Sequence, residues 1–309
     1  MERVAALVAF HQRPLPPTSS PHASSSLHPR IVALRSAYSH FCPLFPLLQR
    51  PDRMDTMVKV AVPILATTAA AVFLGLFTVG ISYRLTVQPT WLRRWLQKRT
   101  PNVLYFKQTE ELLVSLTIDD GPHKDITPEI LDILKQNDCR ATWFIIGNNM
   151  DLYPGLVEQI HNEGHEVGNH TMFDVASWRL PLDAFEEQLI EVDRRLSPFY
   201  RKDANGNLIK WFRPGHGFYT KELLAIAEAH GYRTALASLF PLDTLFTNQG
   251  KQIGEYLLRR MHPGAVILLH DREPQKLQTA EVLRILLPQL RKRGYRVVPL
   301  SDLVGLTLS

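Results

Sequence analysis

A chain of 309 residues with 45% hydrophobic content can bury one large core, and one domain with additional segments accounts for it most economically. Lys and Arg outnumber Asp and Glu by 35 to 30, for a net charge of +5, but much of the excess lies before residue 101, so nothing marks the rest of the chain for nucleic acid. With only Cys42 and Cys139 present, a disulfide framework and a Cys-rich zinc site are both excluded, and any metal must be held by His and carboxylate. Cys139 is expected to pack as a small apolar side chain.

Residues 1–57 are rich in Pro, Ser, His and Arg, with Glu2, Asp52 and Asp55 the only acids and no periodicity, which predicts a disordered head. Arg and Ser with so few acids also suit an organellar transit peptide, although Pro14, Pro16, Pro17 and Pro21 interrupt any amphipathic helix; a start at Met54 or Met57 is a further alternative. Residues 60–83 carry no charge over 24 positions, enough to cross a bilayer core, and predict a single transmembrane helix over 58–84 rather than a cleaved signal peptide. Arg53 and Lys59 precede it, and Arg84, Arg93, Arg94, Lys98 and Arg99 follow, so the positive-inside rule would keep the following segment in the cytosol. Residues 85–110 then read as a juxtamembrane linker in which Trp91 and Trp95 suit a helix at the interface.

Beyond Pro101 the pattern alternates. Strands are expected at 112–118, 141–146, 166–169, 209–212, 233–236, 265–269 and 295–298, and helices at 127–136, 156–162, 182–196, 221–230, 253–261 and 279–293. Such repetition predicts parallel strands inside and helices outside, as a barrel or an open doubly wound sheet.

The polar residues that stand out all follow strand candidates: Asp119 and Asp120, His170 and Asp174, Arg213, and His270 with Asp271. Singly, each has an ordinary reading as a turn, a cap or a surface pair. In a barrel all of them reach one mouth, where active sites of that architecture lie. A divalent ion such as zinc needs three protein ligands and an open position, which Asp120, His170 and Asp174 supply in chemical type. Asp119 then suits the base that deprotonates water and His270 the acid for the leaving group, with Arg213 pairing Asp119 to keep it ionised.

Leu116-Thr117-Ile118-Asp119-Asp120-Gly121-Pro122 resembles the T-F-D-D-G-P motif of the polysaccharide deacetylase family, the carbohydrate esterases with a NodB homology domain, and 141–149 (ATWFIIGNN) is similar to that family's next strand. Residues 164–171 (GHEVGNHT) resemble the stretch leading into its H-[ST]-x-x-H metal motif, but Asp174 stands where the second His belongs. The resemblance extends to 211–217 (WFRPGHG), with Arg213 in the motif's Arg position and His216 in that of the Tyr whose backbone N–H helps bind the oxyanion. It also covers the apolar strand ending in His270, whereas the motif of two Asp and a Trp is matched only by Asp243, which would orient His270 or be an ordinary loop acid.

This resemblance implies an irregular (β/α) barrel of about seven strands over 111–305. It also implies a metal-dependent hydrolase, with Zn²⁺ first and Co²⁺ or another divalent ion as alternatives, that removes N-acetyl groups from an N-acetylglucosamine polymer such as chitin. An O-acetylated glycan, a small amide, or a non-catalytic carbohydrate-binding role are the alternatives. A polysaccharide substrate favours a lumenal or extracellular domain, against the charge rule, and the oligomeric state is open.

Overall fold

The computed structural model describes residues 67, 68, 72, 75 and 90–306, other than 242, 244–247 and 273–275. The chain divides into two units, Met1–Val79 and Gly80–Ser309. In the first, the described residues Thr67, Thr68, Val72 and Gly75 are helical; the whole of the expected head 1–57, with Cys42, and nearly all of the charge-free run 60–83 lie outside the described residues. Among the described residues no helix is long and apolar enough to cross a membrane.

The second unit alternates strands and helices. Helix α1 (Thr90–Arg99) and the short strand β1 (Val103–Leu104) arise in the stretch expected to be a linker. Then come β2 (Leu113–Gly121), α2 (Ile126–Gln136), β3 (Thr142–Ile145), α3 (Gly147–Leu152), α4 (Leu156–Asn162), β4 (Glu166–Asn169) and α5 (Leu182–Leu196). The chain continues through β5 (Lys210–Phe212), α6 (Lys221–Ala229), β6 (Tyr232–Ala235), α7 (Gly250–Arg260), β7 (Val266–His270), α8 (Lys276–Lys292), β8 (Arg296–Val298) and α9 (Leu300–Val304).

Among the described residues all eight strands pair in parallel, in the order β1-β6-β5-β4-β3-β2-β7, with β8 also on β2. The expected seven-stranded barrel is therefore not continuous. Among the described residues the gap is spanned by isolated bridges: a parallel one of Leu239 with Ile267, flanked by Ser238 N–H to the Val266 carbonyl at 3.0 Å and Leu268 N–H to the Leu239 carbonyl at 2.9 Å, and an antiparallel one of Phe106, just after β1, with Ala265. Pro241, which has no N–H, cannot extend that pairing.

Strand period dictates which side chains face the helices. On β2, Val114, Leu116 and Ile118 join the large apolar cluster shared with the helices, as do Trp143 and Ile145 on β3, Val167 on β4, Phe212 on β5, and Ile267 and Leu269 on β7. A smaller cluster holds alternate positions, Phe144, Trp211 and Val266, together with Leu300 and Leu303 of α9. The next residues in that alternate register are Asp119, His170, Arg213 and His270, which the period of two therefore assigns to the concave side at the C-terminal strand ends.

Helix α5 shows why the outer layer forms. Phe185, Leu189, Val192 and Leu196 recur every three or four residues and are all buried, with Asp183 in the first turn and Arg194 and Arg195 in the last complementing the helix dipole. Burying one such Leu or Phe contributes roughly 1.5–3 kcal/mol. Cys139 is half-buried and packs against the same core, and burial pushes its thiol up to about 11.

Candidate active site

The first motif sits at the end of the central strand. Asp119 continues the inward register of Ser115 and Thr117, but the register against β3 shifts between Asp119 and Gly121, and Asp120 adopts a left-handed φ of 69°. A regular strand would send consecutive residues to opposite faces; the bulge re-aims Asp120 so that both carboxylates meet His170. The His170 Nε2 atom lies 3.4 Å from Asp120 Oδ1 and 3.7 Å from Asp119 Oδ2. Asn149, at the end of the 141–149 motif, fixes the bend by donating to the Asp120 carbonyl at 2.7 Å.

Arg213 is buried and fully engaged. Its Nη1 donates to Asp119 Oδ1 at 2.6 Å and to Thr117 Oγ1 at 2.8 Å, its Nε to the Ala235 carbonyl at 3.0 Å and its Nη2 to the Leu236 carbonyl at 3.1 Å, while the guanidinium lies 4.1 Å from the Phe144 ring centre. Burial works against its charge and lowers its pKa below the ordinary 12.5, although Asp119 opposes that. A guanidinium held this way fixes the position of Asp119 and supplies its counter-charge.

Asp119 and His270 stand side by side as register partners on the paired strands β2 and β7, not on opposite sides of the mouth. The His270 Nδ1 atom lies 2.9 Å and 3.0 Å from the two oxygens of Asp243, which is buried. Burial lowers the His270 pKa, but the Asp243 charge and hydrogen bond, with Asp120 and Asp119 behind them, outweigh it and raise it to about 9. With Nδ1 donating to Asp243, Nε2 is the atom that can deliver a proton to a substrate. Asp271 does not join the mouth: it is fully buried, accepts from Thr127 Oγ1, and burial pushes it up to about 7.

The loops after β4 and β5 complete the rim. His216 has a left-handed φ of 61° and Thr171 one of 66°, conformations that a non-glycine residue keeps only when its surroundings enforce them. The loops are pressed together at Gly215, where a Cβ would stand 2.1 Å from the Val175 carbonyl oxygen, and the Gly215 N–H donates to Ser177 Oγ at 2.7 Å. Phe173, Trp178 and Phe218 are exposed on these same loops.

Asp174, expected as a third metal ligand, is engaged elsewhere. Its Oδ2 accepts from Arg272 Nη1 at 2.6 Å, and the same nitrogen lies 3.1 Å from Asp120 Oδ2; Asp174 Oδ1 is 3.6 Å from His216 Nε2. Burial works against the Arg272 charge, but Asp120 and Asp174 hold its pKa above the ordinary value. Burial raises the Asp120 pKa, yet His170, His270 and Arg272 together carry it well below the carboxylate range. His170 donates from Nδ1 to the Arg213 carbonyl at 2.7 Å, which leaves Nε2 toward the carboxylates; burial opposes its protonation, but Asp119 and Asp120 raise its pKa.

Asp120 and His170 thus have the chemistry and placement of two ligands, while among the described residues no three His, Cys, Asp or Glu side chains are placed to hold one ion. As they stand, Asp120, His170 and Asp174 do not fit the divalent ion that the resemblance implies, because a guanidinium lies between the two carboxylates. Arg272 escaped the sequence reading although it directly follows His270 and Asp271 at the end of β7, which was the signal available.

The profile of the family "Polysaccharide deacetylase" matches residues 106–235. A peptidoglycan-N-acetylglucosamine deacetylase of Bacillus cereus is 32% identical over 222 residues, covering 72% of this chain and 97% of the relative. Among solved structures, the Bc1960 peptidoglycan N-acetylglucosamine deacetylase in complex with 4-naphthalen-1-yl-N-hydroxybenzamide superposes with a TM-score of 0.61 at 28% identity, over 67% of this chain and 94% of that one. A family 4 acetyl xylan esterase from Clostridium thermocellum in complex with a cobalt ion gives a TM-score of 0.55 at 27% identity, over 62% of this chain and 89% of that one. With matching motifs on the concave face of the same fold and a relative covered along almost its whole length, the chain belongs to the polysaccharide deacetylase family.

Proposed function

We propose that this protein hydrolyses the N-acetyl amide of N-acetylglucosamine units in a glycan polymer, releasing acetate and leaving a free amine. The observation that carries the reading is the pair Asp119 and His270, register partners across β2 and β7, each held by a buried group of opposite charge, Arg213 and Asp243. Asp119 takes a proton from water as its oxygen attacks the amide carbon. The tetrahedral oxyanion accepts from the backbone N–H of His216, whose left-handed conformation turns the peptide at the rim. Collapse breaks the C–N bond as His270 Nε2 gives its proton to nitrogen, and His270 is poised for that role because Asp243 keeps it protonated to about pH 9. In this family a divalent ion, zinc or cobalt among the candidates, supplies Lewis-acid polarisation when bound; here Asp174 would first have to leave Arg272.

The names of the peptidoglycan relatives support an N-acetylglucosamine polymer, peptidoglycan or chitin, and the exposed Phe173, Trp178 and Phe218 offer flat apolar surfaces to sugar rings. Likeness to an acetyl xylan esterase favours, as a second reading, an O-acetylated glycan. The test is acetate release by the full chain from chito-oligosaccharides, peptidoglycan strands and acetylated xylan. Release from either N-acetylated glycan supports the proposal, release from xylan alone replaces it with the second reading, and release from none rejects both. We also take the charge-free residues 60–83 as a membrane anchor presenting the domain to the lumen or exterior; extraction by alkaline carbonate would reject the anchor.

A further inference from the structure

We propose that Arg272 is the resident cation of this site, holding Asp120 and Asp174 together and excluding a divalent ion until it is displaced. One nitrogen, Nη1, serves both carboxylates, at 3.1 Å from Asp120 Oδ2 and 2.6 Å from Asp174 Oδ2. That is the position of a bridging cation between two of the three residues that the metal motif would assign as ligands.

Asp174 is the departure from that motif, and Arg272 answers the charge that it brings. Where the resemblance implies a second His, a neutral imidazole would give a guanidinium no ion pair; the carboxylate of Asp174 gives it a charge-assisted hydrogen bond. In return, Arg272 offsets the repulsion that a second carboxylate brings toward Asp120, Asp119 and their neighbours. His216 approaches Asp174 from the other side, at 3.6 Å, so both oxygens of Asp174 face groups able to carry positive charge.

Arg272 differs from a bound ion in a way that matters to the chemistry. A guanidinium stays charged across the working pH range and is not lost to a chelator, whereas it offers no coordination position for water. Arg272 is also accessible: its side chain is 38% exposed, and Asp174 is 40% exposed, so the pair can open without disturbing the core. Asp120 and His170, by contrast, are buried and remain in place when it does. Metal binding therefore exchanges two ion pairs for coordination bonds, and its affinity is set by that exchange.

The inference uses the site of the deacetylation reading but not its outcome, since the readout is metal binding rather than acetate. The experiment titrates Co²⁺ into chelator-treated full chain and follows binding by calorimetry and visible absorption, for the wild type and Arg272→Gln. The expected result is Co²⁺ binding at least ~10-fold tighter in Arg272→Gln, which is about 1.4 kcal/mol, with a stronger gain in Arg272→Gln/Asp174→His. Equal or weaker binding in Arg272→Gln overturns the proposal. If Arg272→Gln does not fold by circular dichroism, Asp174→His decides, since it removes the exposed partner of Arg272: Co²⁺ binding at least ~10-fold tighter than in the wild type is expected, and equal or weaker binding overturns the proposal.

Discussion

Replacing Asp243 by Asn removes the charge that holds His270 protonated while leaving a side chain of the same shape beside it. The rise of the His270 pKa from 6.5 to about 9 corresponds to about 3 kcal/mol of differential interaction between its two protonation states. Because the folded value is raised, the pair contributes stability that is fully present below pH 6.5 and is lost as pH rises through about 9. In Asp243→Asn, burial, which lowers the pKa, faces only the more distant Asp119 and Asp120, so the value should fall by at least one unit, about 1.4 kcal/mol. Two assays read it: the alkaline limb of acetate release, and the imidazole titration of His270 followed by NMR, which does not depend on turnover. The melting temperature should also lose most of its decline between pH 6.5 and 9. A His270 titration unchanged near pH 9 in the variant would refute the role given to Asp243.

Three further outcomes follow from the geometry. Arg213→Met leaves Asp119 buried without its partner and should cost about 3–5 kcal/mol in urea unfolding; a cost below about 1 kcal/mol would contradict the ion pair. Gly215→Ala drives a Cβ to 2.1 Å from the Val175 carbonyl, which moves only with its loop, so about 1–3 kcal/mol of stability should be lost, and a neutral result in thermal melts would contradict the close approach. Trp178→Ala, on an exposed rim, should raise KM for long oligosaccharides while kcat and stability hold, the latter within about 0.5 kcal/mol; a fall in kcat alone would remove Trp178 from substrate binding.

Much of the fold was legible because its signal is periodic. The run Phe185, Leu189, Val192, Leu196 fixes helix 182–196 to the residue, and the bounds of the apolar strand that ends at His270 are offset by one residue only. Elements too short for a period escaped: β1 with two residues, α9 with five and α3 with six. The two edges of the sheet were equally invisible, since they meet through the isolated bridges of Leu239 with Ile267 and Phe106 with Ala265, which no local pattern encodes. At the site, strand ends exposed Asp119, His170, Arg213 and His270, because parallel strands deliver their C-terminal residues to one place. Sequence could not show that Asp120 turns to join them, which depends on a bulge and a left-handed φ, nor that Asp174 faces Arg272, which depends on two loops 98 positions apart meeting.

The most direct measurement is acetate and free amine released from N-acetylglucosamine oligomers by the full chain and by Asp119→Asn. Loss of about 10²- to 10⁴-fold in kcat with unchanged oligosaccharide binding is the predicted result. Equal turnover by the variant would contradict the assignment of Asp119 as the base, and with it the mechanism built on the Asp119 and His270 pair.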